Sequence, residues 1–225
     1  MAGLGVPGLL LVGVDSLVVG WPVHSFLFSE EELQRLHSAK VAAGQKLFGR
    51  GGTALKWYGQ DFLMKPRGAQ GYEWILENAD VSMRIAAQAS GGEVFPEVYV
   101  TFRSAYLWRE GFEAACNSTK DWLSTFADIG EGKVSRADLC ADFAMPLPKI
   151  DLGVEVVSRG RKRGKYQQID MSESADWQSG TRATGYQIGK GELMARLYDK
   201  REELQQTGKR WFEDLWRENG WDGES

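Results

Sequence analysis

Apolar and polar positions alternate with a period of two over many short stretches of this chain, the pattern of strands with one covered face. The alternation predicts strands near residues 9–19, 53–58, 61–65, 73–76, 81–87, 97–103, 135–143, 184–189 and 192–200, punctuated by glycine, proline and asparagine. Another pair, 154–159 and 165–169, reads as a hairpin, and the polar stretch 170–182 as a loop. A helix is predicted over 30–48, opened by a Ser29/Glu32 capping box and closed by Gly49, Gly51 and Gly52. Two more are predicted over 104–115 and 118–128, and a last one from about 201 that carries Trp211, Phe212, Leu215 and Trp216. Strands in a meander, interleaved with helices, predict an α+β fold: a largely antiparallel central sheet with flanking helices, in one domain over 1–225. The apolar run 9–14 lacks a basic leader and is interrupted at Asp15, so it reads as a buried strand rather than a signal peptide. The closing turn at 220–225 reads as the approach to a further strand, so the chain is expected to stop short of its last strand or strands.

Two of these strands carry chemistry. In 135–143, Ala137, Leu139, Ala141 and Phe143 share one face, and Arg136, Asp138, Cys140 and Asp142 share the other. In 192–200, Leu193, Ala195 and Leu197 point one way, and Met194, Arg196, Tyr198 and Lys200 point the other. Two carboxylates on one face offer hard oxygen ligands to a divalent metal. A tyrosine between an arginine and a lysine has the means to attack a phosphate. The pair points to phosphodiester cleavage by a tyrosine nucleophile.

Composition changes this picture little. Charged residues make up 26% of the 225 and the formal net charge is −4, which does not by itself mark a nucleic-acid binder. The average conceals a basic run of Arg159, Arg161, Lys162, Arg163 and Lys165, which reads either as a phosphate-binding element or as a solvated hairpin tip. No apolar stretch is long enough for a membrane helix. Cys116 and Cys140 form neither a disulfide framework nor a zinc pattern, which fits a reducing, cytoplasmic setting. His24 and His37 lie apart from both strands, so an imidazole-based metal site is not expected. The nine tryptophans read as core, with Trp57 and Trp177 open as base-stacking alternatives.

Ordered along the chain are Pro96-Glu97-Val98-Tyr99-Val100, Ser104-Ala105-Tyr106-Leu107-Trp108, the segment Val134 to Asp142, Thr184-Gly185-Tyr186-Gln187-Ile188-Gly189-Lys190-Gly191, and Ala195-Arg196-Leu197-Tyr198-Asp199-Lys200 followed by Glu203. The turn Gly220-Trp221-Asp222-Gly223 completes the set. In these segments the chain resembles the replication initiation factor family, the rolling-circle plasmid initiators and the relaxases of integrative conjugative elements and related phages. The resemblance implies a nuclease domain of the rolling-circle initiator type. It implies a metal-dependent nicking-joining endonuclease whose tyrosine, Tyr198 by position, cuts one DNA strand and becomes linked to the 5′ phosphate. It implies a divalent metal at Asp138 and Asp142, for which hard oxygen ligands favour Mg2+ or Mn2+; Arg196 and Lys200, on the face of Tyr198, are expected beside the scissile phosphate. Arg136, the run Arg159 to Lys165 and Lys190 are assigned to DNA, at an origin or nick site that is hairpin or single-stranded. Action at paired sites implies a homodimer; no membrane partner is expected.

Two other readings stay open at this point: a DNA-binding protein of the same fold without cleavage, and a metal-dependent nuclease that uses water. Tyr198 as a packed residue, the aspartates as partners of Arg136, and Arg196 and Lys200 as ion-pair partners of Asp199, Glu202 or Glu203 are the structural alternatives. Tyr186 is the rival nucleophile, without the flanking basic pair in phase.

Overall fold

A computed structural model describes residues 8–45, 51–91, 95–146, 178–179, 182–183, 185–190 and 193–223. The fold is α+β with a large antiparallel sheet. Its elements in chain order are β1 (Leu9–Trp21), β2 (Val23–Phe26), α1 (Glu30–Gln45), β3 (Thr53–Trp57), β4 (Gln60–Met64), β5 (Trp74–Glu77), β6 (Val81–Ile85), β7 (Val98–Phe102), α2 (Ser104–Glu110), α3 (Phe112–Leu123), β8 (Ala127–Ile129), β9 (Lys133–Phe143), β10 (Gln178–Ser179), β11 (Arg182–Ala183), β12 (Gly185–Lys190), β13 (Leu193–Tyr198), α4 (Lys200–Thr207) and α5 (Trp211–Glu218). The chain divides into two compact units, Gly13–Cys140 and the pair of segments Met1–Val12 and Ala141–Ser225.

In the first unit β3 to β7 form a meander, and β1 inserts between β7 and β9 to give the order β3-β4-β5-β6-β7-β1-β9. β1 pairs antiparallel with β7 from Leu17↔Phe102 to Trp21↔Val98. The meander strands bury alternate residues, as their sequence period requires: Trp74 and Leu76, then Val81, Met83 and Ile85, then Val98, Val100 and Phe102. By contrast β1 buries every residue from Leu17 to Trp21, so both of its faces are covered. Helix α1 lies against β3 and β4 and turns Leu36, Ala39 and Ala43 inward at helical spacing. The capping box forms: the Ser29 amide donates to Glu32 Oε2 at 3.0 Å and the Glu32 amide to Ser29 Oγ at 3.2 Å. Trp57, Trp122 and Phe126 form an aromatic cluster, with Phe126 at 4.5 Å from Trp57 and 4.9 Å from Trp122. Trp57 is 1% exposed, so it belongs to this core and is closed to a stacking base.

One buried charge in this unit has a clear structural duty. The Glu97 carboxylate accepts the Val23 amide at 2.7 Å, the Ser90 amide at 3.0 Å and the Ser90 hydroxyl. It thereby ties the start of β2 to the turn that precedes β7.

Several sequence expectations need correcting here. The helical stretch after β7 breaks at Gly111, where φ is 81°, and not near Asn117; α2 and α3 lie on either side. The second helix ends at Leu123; residues 124–126 turn, and the last two expected to be helical, Ala127 and Asp128, belong to β8, paired with the unforeseen β2. The last helix is also two, because Gly208 adopts the left-handed conformation (φ 71°) and caps α4 with its amide on Leu204. Most of the expected loop 170–182 and the hairpin at 154–169, with all five of its basic residues, lie outside the described residues, as does Trp177.

The other unit contains the antiparallel hairpin β12–β13 and helices α4 and α5. Leu204, Phe212, Trp216 and Trp221 are among its buried residues. In the Gly220 to Gly223 turn, the Trp221 ring meets Trp216 edge-on at 5.3 Å and is flanked by the guanidinium groups of Arg201 and Arg217, 5.5 and 5.7 Å from its centroid. No helix among the described residues is long and apolar enough to cross a membrane.

Candidate active site

The six residues Tyr198 to Glu203 build one local device. Tyr198 is the last residue of β13. Asp199 caps the helix that follows, its carboxylate accepting the Arg201 amide at 3.1 Å and the Glu202 amide at 3.4 Å. Lys200 therefore opens α4 and does not continue the strand, contrary to the expected 192–200 span. It still reaches Tyr198, because the cap folds the chain back. Lys200 and Glu203 are three residues apart on a helix and so share a face, and that face is turned toward Tyr198.

The resulting geometry is a closed triangle. The Tyr198 hydroxyl donates to Glu203 Oε2 at 2.8 Å. Lys200 Nζ donates to Tyr198 Oη at 3.2 Å and lies 2.9 Å from the same Glu203 oxygen. Lys209 Nζ stands 3.7 Å from Glu203 Oε1. Lys200 and Glu203 expose only 11% and 9% of their side chains. The Lys200 ammonium also lies 4.6 Å from the centre of the buried Phe212 ring, so α5 forms the floor of the device. Burial holds the Tyr198 phenol well above its ordinary range; Lys200 pulls it down, and Glu203 pushes it further up. The phenol is therefore protonated at neutral pH, and its proton is already directed at a carboxylate.

Arg196 lies two residues before Tyr198 on β13, opposite Gln187 and exposed. The register pairs Gly185 with Tyr198 and Tyr186 with Leu197, which puts Tyr186 and Tyr198 on opposite faces of the hairpin. Tyr186 is 3% exposed and closed to a phosphate. Lys190 is the last residue of β12.

Over its second half β9 exposes its apolar face more than its reactive one, the reverse of the expected amphipathic packing, while Arg136 stays exposed. Leu139 is 78% exposed, whereas Asp138, Cys140 and Asp142 are half-buried. The reactive face is held by polar pairing. Arg136 grips Asp138 through two bonds, Nε to Oδ1 at 2.8 Å and Nη2 to Oδ2 at 2.6 Å. The Cys140 thiol meets the Gly13 carbonyl at 3.6 Å, and Asp142 Oδ2 accepts the Trp216 indole N–H at 2.9 Å.

These partners bear on the expected metal. An extended strand advances about 3.3 Å per residue, so four steps separate the Asp138 and Asp142 α-carbons by about 13 Å. Carboxylate–metal bonds of about 2.0–2.6 Å cannot bring both groups to one cation across that span. Among the described residues no three His, Cys, Asp or Glu side chains converge on a cation position. Asp138 and Asp142 thus do not fit as joint ligands of a single ion, and Arg136 is engaged with Asp138 rather than directed at DNA phosphate alone.

Glu203, Lys209 and Phe212 were not singled out as site residues by the strand pattern. The available signal was the order Tyr-Asp-Lys-x-x-Glu, a strand end, a cap and two helix positions on one face. No protein-family model, curated protein or solved structure matches the chain.

Proposed function

We propose that the protein is a site-specific DNA nicking and joining enzyme that acts through Tyr198, as its resemblance to the rolling-circle initiators and relaxases implies. The observation that carries this reading is the Tyr198 hydroxyl held between the Lys200 ammonium and the Glu203 carboxylate. In the reaction the Tyr198 Oη–phosphorus bond forms and the phosphorus–O3′ bond breaks. The departing 3′ oxygen takes a proton from solvent, and the DNA stays attached by its 5′ phosphate. Lys200 supports charge on the tyrosine oxygen, and the exposed Arg196, on the same strand face, meets the phosphate oxygens. Attack by the 3′ hydroxyl of a second end reverses the step and joins strands, because the phosphotyrosine keeps the energy of the broken bond. The substrate is a single-stranded or hairpin DNA site, with Mg2+ or Mn2+ as the implied metal, for which the structure offers no joint Asp138–Asp142 cage.

The test is incubation of the full chain with manganese and either supercoiled plasmid or phage single-stranded DNA, followed by a denaturing gel and mass spectrometry of the adduct. A covalent adduct at Tyr198 is expected, abolished by Tyr198→Phe with DNA affinity kept within a few-fold. Cleavage without an adduct, or an adduct at Tyr186, overturns the proposal.

A further inference from the structure

We infer that Glu203 is the proton acceptor that activates Tyr198 and the proton donor to Tyr198 when strands are rejoined. The inference rests on the reading of Tyr198 as the nucleophile. It starts from contact: the Tyr198 hydroxyl donates to Glu203 Oε2 at 2.8 Å, within the reach a general base needs. A tyrosine hydroxyl ionises near pH 10 in water, so at pH 7 only about one in a thousand is phenolate. Burial at Tyr198 lowers that fraction further.

A structural hydrogen bond would need only a carboxylate within reach. The arrangement here is more particular. Lys200 touches both the oxygen that gives up negative charge, Glu203 Oε2, and the oxygen that acquires it, Tyr198 Oη, at 2.9 and 3.2 Å. Moving the proton from Oη to Oε2 shifts one negative charge between two atoms that share one ammonium, so neither state leaves a buried charge unpaired. Lys209, 3.7 Å from Oε1, holds the far carboxylate oxygen through the transfer. Tyr198 on β13, Lys200 on α4 and Lys209 before α5 are the titratable groups in contact with the Glu203 carboxylate among the described residues.

Phenol and carboxyl groups differ by about six pK units in water. The proton therefore moves as the Oη–phosphorus bond forms and not before. Its destination is Oε2. In the joining step the incoming 3′ hydroxyl gives its proton to solvent and attacks phosphorus. The Oη–phosphorus bond breaks, and Glu203 reprotonates Oη.

The experiment measures adduct formation between pH 5.5 and 9.5, with the full chain, manganese and a 3′-labelled pool of random-sequence single-stranded 40-mers. The wild-type rate is expected to lack the tenfold rise per pH unit of a reaction limited by free phenolate, because Glu203 takes the proton as the Oη–phosphorus bond forms. Glu203→Gln should be slower by about 100-fold or more at pH 7, within the usual 10²–10⁴ for a lost general base. Its residual rate should climb about tenfold per pH unit through 9.5, because the reaction then waits for free phenolate. Glu203→Asp, which keeps the base at shorter reach, should retain the wild-type profile at a reduced rate. A Glu203→Gln rate within threefold of wild type, or a reduced rate with an unchanged profile, overturns the role of Glu203 while leaving Tyr198 in place. A folded Glu203→Asp variant whose rate climbs about tenfold per pH unit, as expected of Glu203→Gln, overturns it as well. Absence of any wild-type adduct at Tyr198 removes both.

Discussion

Replacing Tyr198 by phenylalanine separates the tyrosine's structural bond from its chemistry. The substitution keeps the ring and deletes only the hydroxyl that bonds to Glu203 at 2.8 Å. Hydrogen bonds to charged groups contribute about 1.5–3 kcal/mol. Glu203 keeps Lys200 at 2.9 Å and Lys209 at 3.7 Å, so its carboxylate is not orphaned and the lower value applies. A loss of about 1.5 kcal/mol speeds native-state hydrogen exchange about tenfold. The backbone amides of α4 are the right reporters, because they read this unit by itself. The dependence on pH has a definite sign. Burial raises the Tyr198 pKa in the folded protein. The hydroxyl's contribution is therefore complete below the ordinary phenol value near 10 and is lost as pH rises through the folded value. The gap between wild type and variant should be constant from pH 7 to 9 and shrink above 10. Equal exchange rates at pH 7, or a gap that widens above pH 10, would refute the buried Tyr198–Glu203 bond.

Two further substitution sets test the remaining expected sites. Asp138→Asn and Asp142→Asn should act independently on manganese-dependent cleavage, with additive effects on log rate; if either alone abolishes tight manganese binding by calorimetry, one ion bridges them and the strand-spacing argument fails. Replacing Arg161, Lys162 and Arg163 with alanine should weaken binding to all DNA sequences alike and flatten log K against log salt by up to about three charges, at roughly 0.7–0.9 per phosphate contact. A loss confined to one DNA sequence at constant salt slope would mean that the segment reads bases.

The meander was legible because β5, β6 and β7 each bury one face, and period two records that directly. β2 and β8 were not, since neither short strand alternates buried with more exposed positions as the four-residue β5 does. The helix breaks at Gly111 and Gly208 turn on a single positive φ inside otherwise helical composition. On β9 the alternation is legible but its polarity is not: hydrophobicity assigns the apolar face inward, whereas here Leu139 is exposed and Cys140 and Asp142 are half-buried, each with a polar partner. Tyr198 and Lys200 were legible as neighbours. The Asp199 cap, which ends the strand one residue earlier than alternation implies, is what brings Glu203 into contact, and it is a local backbone decision that face-counting cannot see.

The locality of the Tyr198 device has a consequence for its assembly. Its nucleophile, ammonium and carboxylate lie within five positions of one another along the chain. Closing so short a loop takes little entropy, so the first turn of α4 brings the three groups into register, and packing of α5 beneath Lys200 then encloses them. Insertions or deletions elsewhere in the chain leave their spacing intact. Fraying of that single turn releases all three contacts together, so reactive geometry is present or absent as a unit and is not degraded by degrees.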